Sequence, residues 1–156
     1  MSLRTLYFFT LLLAVLAFGP SFGHALEAAN KLALDRQDYL VAQQLYQGWA
    51  LLGLIVLPSI VLTGFLVLAL RRRGLSLAGA LTALILQVWA QVVFWLFIWP
   101  ANAATRQWTM LPPDWAALRA QWEYGHAVGA LLNLGAVIAL LLSLLAWARR
   151  KQAQPA

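Results

Sequence analysis

An all-α integral membrane four-helix bundle, with an amphipathic helix on its outer face between the first and second spans, is the fold class the sequence predicts. Three observations predict it. The 156-residue chain is 63% hydrophobic and only 10% charged, too apolar for an ordinary soluble domain. Four stretches, about residues 5–25, 49–70, 75–99 and 124–148, reach the length of about 20 apolar residues that a helix needs to cross a bilayer. The charges also sort by the loops between them. Arg4, Arg71, Arg72, Arg73, Arg149, Arg150 and Lys151 fall on one side (+7), while Lys31, Arg36, Arg106 and Arg119 share the other with all five acidic residues (−1). Such a bias places the arginine-rich side, and with it both termini, in the cytoplasm, across a bacterial-type inner or plasma membrane. The net charge of +6 therefore orients the chain and predicts no nucleic-acid partner.

Residues 1–148 read as a single four-span domain and 149–156 as a basic cytoplasmic tail. The first stretch, MSLRTLYFFTLLLAVLAFGPSFGHA, spans the bilayer if counted to Ala25, but its basic start, Gly-Pro step and small residue also suit a cleavable signal peptide. Cleavage would discard His24; retention is the expectation taken here. Residues 26–49 follow, with Leu32, Leu34, Leu40, Val41 and Leu45 spaced as the apolar face of a helix lying at the membrane surface. In the second span Pro58 predicts a bend rather than a break. The RRRG turn, Arg71 to Gly74, is short enough to make spans two and three antiparallel neighbours. Pro100 is expected to stop the third. A short helical piece is predicted from Asp114, ahead of the fourth span.

Polar groups inside spans are costly and mark function or helix-to-helix ties. Gln87 and Gln91 lie one turn apart in span three with Trp95 on the same stripe, and Asn133 lies two turns after His126 in span four. Gln91 and Asn133 sit at similar depths, so they either tie the helices or touch a ligand. Gly125 and Gly129 form a GxxxG that permits close approach of a neighbour.

The two histidines each carry a glutamate three residues toward the water, His24 with Glu27 and His126 with Glu123. Glu-x-x-His puts both side chains on one helix face, a spacing found in carboxylate-bridged metal centres. With no cysteine in the chain, a metal would have to use His24, Glu27, Glu123 and His126. The same residues leave three other readings open: axial ligation of haem by the two imidazoles, acid–base work by Glu123 and His126 on an organic substrate, or structural pairing alone. Arg119, one turn before Glu123, is positioned to neutralise it.

At PANAATRQW, followed by LRAQWEYGH, the chain resembles the anthrone-oxygenase-like family of small four-helix membrane proteins. The matching residues are Asn102 after span three and Trp122 four residues before His126; where that family often has Arg three residues after the histidine, this chain has Gly129. The resemblance implies cofactor-independent oxidation of a lipophilic aromatic or quinone-like molecule. His126 would be the base, Glu123 its orienting partner, Asn102 a donor to the developing oxyanion, and Trp95, Trp108, Trp115 and Trp122 the stacking walls. A non-catalytic protein that binds a small lipophilic ligand, a metal or haem, or a partner subunit or second copy through the same pocket is the competing expectation.

Overall fold

The computed structural model describes residues 1–152, and these are almost entirely helical. Among them are six α-helices: α1 (Leu3–Ala33), α2 (Arg36–Gln43), α3 (Gly53–Arg72), α4 (Ala78–Val93), α5 (Trp99–Ala104) and α6 (Trp115–Gln152). Short 3-10 turns cover Gln44–Tyr46 and Trp49–Leu52, and a π-helical turn, Phe94–Ile98, joins α4 to α5. Four helical stretches are long and apolar enough to cross a membrane: Leu3–Ala33, Trp49–Arg72, Ala78–Ala104 and Trp115–Gln152. The protein is an all-α bundle of these four. Helix α6 packs on α1 and α4, and α3 closes the bundle against both.

The core is built from small residues on α4 and α6 and larger ones on α1 and α3. Ala80, Ala83, Ala136 and Ala139 meet Leu3, Leu6, Tyr7, Leu66 and Leu70. Small side chains let the backbones approach where lipid supplies no hydrophobic drive for association. At Gly79 the approach is closest, since a Cβ there would lie 2.6 Å from the Ala139 carbonyl oxygen. The outward faces carry Phe8, Leu12, Val61, Phe65, Trp89 and Leu131, exposed apolar surface suited to acyl chains. At the RRRG turn, Gly74 takes φ +61° and the Leu75 and Gly74 N–H groups donate to the Leu70 and Arg71 carbonyls. That is a Schellman stop, and glycine suits the left-handed position it requires.

Three expected boundaries are corrected. Helix α1 does not end near residue 25 but runs through Pro20 to Ala33, so the first third of the expected surface helix belongs to span one. What remains is α2, started by Asp35, whose Oδ1 accepts from the Gln37 and Asp38 N–H groups at 2.9 Å. Its buried face is the polar and aromatic one, Tyr39 and Gln43, while Val41 and Leu45 point outward. Pro100 does not stop the third span. The π turn before it, closed by Trp99 N–H on the Phe94 carbonyl, absorbs the missing donor and the ring's clash with the preceding turn, and helix continues to Ala104. The piece expected from Asp114 is the first part of α6 itself. Pro58 lies within continuous helix, and α6 carries Arg149, Arg150 and Lys151 of the expected tail, whose last four residues, 153–156, lie outside the described ones.

Candidate functional site

The site forms at the end of the bundle where α1, α2, the 44–52 turns and α6 converge. Helix α1 presents His24, Glu27 and Lys31 on one face, at i, i+3 and i+7. Opposite, α6 presents Trp122, Glu123 and His126. The two imidazoles do face one another, ring centroids 4.2 Å apart and tilted by 34°. His24 is 5% exposed, and its ring also packs on Tyr46 at 4.4 Å, Trp122 at 4.9 Å and Trp49 at 5.1 Å. His126 lies against Trp122 at 4.2 Å. Among the described residues no group hydrogen-bonds the His126 ring.

Lys31, by sequence one of four basic residues on the outer side, is the hub. Its side chain is 6% exposed, and Nζ lies 3.1 Å from Glu123 Oε2, 3.7 Å from Glu27 Oε2, 3.4 Å from His24 Nδ1 and 3.2 Å from the Tyr46 hydroxyl. The rings of Tyr46 and Trp122 lie beneath the ammonium at 4.8 and 4.9 Å. An ammonium only donates, so His24 Nδ1 accepts and the neutral ring carries its proton on Nε2. Glu123 is fully buried. Its Oε1 accepts from the Tyr39 hydroxyl at 3.0 Å, which in turn accepts from Gln43 Nε2 at 2.6 Å. Oε2 has no aligned hydrogen bond, so its contact with Lys31 is an ion pair. Burial, then the neighbouring Glu123 carboxylate, raises the Tyr39 phenol well above its ordinary value. Burial and the hydrogen bond that Tyr46 donates to Glu27 raise the Tyr46 phenol likewise.

Several expected roles change. Glu123 does not orient His126; it is turned toward Lys31 and Tyr39. Arg119 does not neutralise Glu123 but donates to the Leu34 carbonyl at 2.7 Å and the Lys31 carbonyl at 3.4 Å, closing the end of α1, and stacks on Trp115 at 4.6 Å. Among the described residues no three His, Asp or Glu side chains gather as a ligand set. His24, Glu27 and Glu123 surround an ammonium while His126 packs on the His24 ring, and these residues do not fit a metal in this arrangement. Nor do they fit haem, since imidazoles in ring contact leave no gap for a macrocycle between them.

Asn102 and Trp122 do come together. Asn102 Oδ1 accepts from Trp122 Nε1 at 2.8 Å and from Trp108 Nε1 at 2.9 Å. Two indole donors identify that atom as the oxygen, so only the amide nitrogen remains to donate elsewhere. The chain reaches Trp108 through three consecutive left-handed residues, Arg106, Gln107 and Trp108, at φ 50°, 59° and 58°. Such residues cost about 1–2 kcal/mol each without glycine. The Asn102 carbonyl, accepting from Gln107 N–H at 2.6 Å, and Thr105 Oγ1, accepting from Trp108 N–H at 3.1 Å, hold the turn.

Trp95 is 57% exposed and packs on Phe94 and Trp99 rather than on the histidine cluster. Gln91 and Asn133 share a small mid-bundle space with Gln87 and Ser59, deeper than the histidines. There Asn133 donates to Ser21 Oγ at 3.2 Å and Gln87 to Ser59 Oγ at 3.1 Å, ties between helices rather than parts of the His126 site. The GxxxG divides in the same way. A Cβ on Gly125 would lie 2.9 Å from Ile98 Cγ1, whereas one on Gly129 would meet nothing within 4 Å.

No protein-family model matches the chain, and comparison with curated proteins and with solved structures yields no significant match.

Proposed function

We propose that the protein is a membrane enzyme of oxidoreductase or oxygenase type. It would work by acid–base chemistry on a lipophilic aromatic or quinone-like molecule at the His24–His126 end of the bundle. The observation that supports this most is the pair of imidazoles in ring contact. His126 has ring nitrogens free of hydrogen-bond partners, and behind the pair lies a run of polar groups, His24, Lys31, Glu123 and Tyr39, in which Lys31 and Glu123 meet as an ion pair. His126 takes a proton from an acidic C–H or phenol. His24, fixed by Lys31 with its proton on Nε2, backs the ring that becomes charged. The aromatic side chains around it suit a flat, apolar substrate entering from the bilayer. With dioxygen as oxidant, an anthrone methylene loses two hydrogens and gains one oxygen atom, and the second oxygen leaves as water. The charge bias supports a topology with this end of the bundle on the outer side of the membrane and both termini in the cytoplasm.

The competing reading, a non-catalytic protein that binds a ligand or partner here, draws on the closure of the cluster. Lys31, Glu123, Tyr39 and Gln43 engage each other and latch α2 onto α6. Turnover separates the two. Purified protein in detergent should oxidise an anthrone in air, lose that activity as His126→Ala, and keep it after chelation. Quenching of tryptophan fluorescence by the anthrone with no turnover would support the binding protein instead.

A further inference from the structure

At the opposite, arginine-rich end lies a groove of ≈ 370 Å³ between α1, α4 and α6, within the roughly 300–1,000 Å³ range of ligand sites. Its walls are apolar and small, from Leu75, Ala78, Ala139 and Ala146, and Arg150 stands at its rim. Besides Arg150, its polar groups are the hydroxyls of Ser76 and Thr82 and a Tyr7–Ser143 pair. The Tyr7 hydroxyl is hydrogen-bonded with Ser143 Oγ at 2.8 Å, and its ring stacks on Trp147 at 5.3 Å. This pair is internally satisfied, so an apolar occupant does not strand it. Around the same end stand Arg4 at the start of α1, Arg71 to Arg73 at the end of α3, and Arg149 to Lys151 at the end of α6. All five acidic residues, Glu27, Asp35, Asp38, Asp114 and Glu123, lie elsewhere, in α1 beyond His24, in the segments between spans or in the first part of α6. Among the described residues the cationic end has no carboxylate to answer it.

We infer that this groove is a lipid site: it seats one acyl chain of an anionic phospholipid, with the phosphate against Arg150. The apolar walls account for the chain and the unanswered arginines for the headgroup, which is how basic pockets between membrane helices select lipids. This site is independent of the reading given to the histidine end.

Native mass spectrometry of the full chain in a nonionic detergent tests it, using phosphatidylglycerol and phosphatidylcholine of identical acyl chains. A one-to-one adduct should form with the anionic lipid at about five- to tenfold lower concentration than with the choline lipid. Arg150→Gln, a change at an exposed position, should remove most of that preference. Ala146→Phe, which fills the groove, should weaken both lipids. Ala78→Leu should do the same, which guards against one filling variant failing to fold. Equal retention of the two lipids, an Arg150→Gln protein that behaves like the parent, adducts that survive both filling variants, or displacement of the lipid by inorganic phosphate would each overturn the proposal.

Discussion

Lys31 shows what a single side chain decides in this protein. Removing it as Lys31→Met leaves the Glu123 carboxylate buried without a counter-charge, and loss of one partner of a buried pair costs about 3–5 kcal/mol. Thermal unfolding in detergent should record that loss, and the double variant Lys31→Met/Glu123→Gln should recover most of it. Recovery of none would mean that Lys31 acts through packing rather than charge. Tyr39 adds a pH dependence whose sign follows from its raised phenol. The folded state favours the neutral hydroxyl, so this contribution is complete below the ordinary tyrosine value of about 10 and is lost as pH rises through the folded-state value. Stability should fall above about pH 10, Tyr46 adding to the fall in the same sense. A Tyr39→Phe/Tyr46→Phe variant should show a flatter alkaline profile by circular dichroism.

Among the elements, glycines mark where helices touch. Gly79→Ala drives a Cβ into the Ala139 carbonyl, backbone that cannot turn aside, and should cost about 1–3 kcal/mol as α4 and α6 are forced apart. Gly129→Ala has open space and should be neutral or slightly stabilising, because alanine is the better helix former. Melting temperatures of the two variants decide the matter, and equal shifts would contradict the packing described. The loop between α5 and α6 depends on Asn102. Asn102→Leu leaves two indole N–H groups without their acceptor while the backbone carbonyl that holds the left-handed turn remains, and should cost about 1–3 kcal/mol, visible as altered tryptophan fluorescence. The motif that carries the family resemblance is therefore a clamp as well as a candidate contact. Its spacing across a loop and two helices concealed the hydrogen bonds.

For the whole molecule, the charge bias predicts that reporter domains fused at either terminus are active only when folded in the cytoplasm, while one inserted in the 105–114 loop is active outside. The reverse pattern would invert the proposed sidedness, and with it the side from which a substrate reaches His126. The bundle has its two polar regions at different depths, the Lys31 cluster at one end and the Gln87–Ser59 and Asn133–Ser21 ties in the middle. Between them and the basic end the core is mainly Leu, Ala and Val, interrupted by Thr10, Thr63 and the Tyr7–Ser143 pair. A continuous polar track through the membrane has no support in this arrangement.

Composition and periodicity determined that four helices would be long and apolar enough to cross a membrane and that spans two and three would be joined tightly, because both depend on local chain properties. They also brought His24 and His126 to the same end. What they did not determine was which groups would pair. Glu123 has His126 and Arg119 nearby in sequence, yet its partners come from α1 and α2, 92 and 84 residues away. Lys31 was within reach of a helical reading, being one turn after Glu27 and two after His24 on the same face, but that required α1 to continue past Ala25. Only the packed bundle decides this. The cost of burying a charge depends on which other charge arrives beside it, and arrival is set by how α1, α2 and α6 meet.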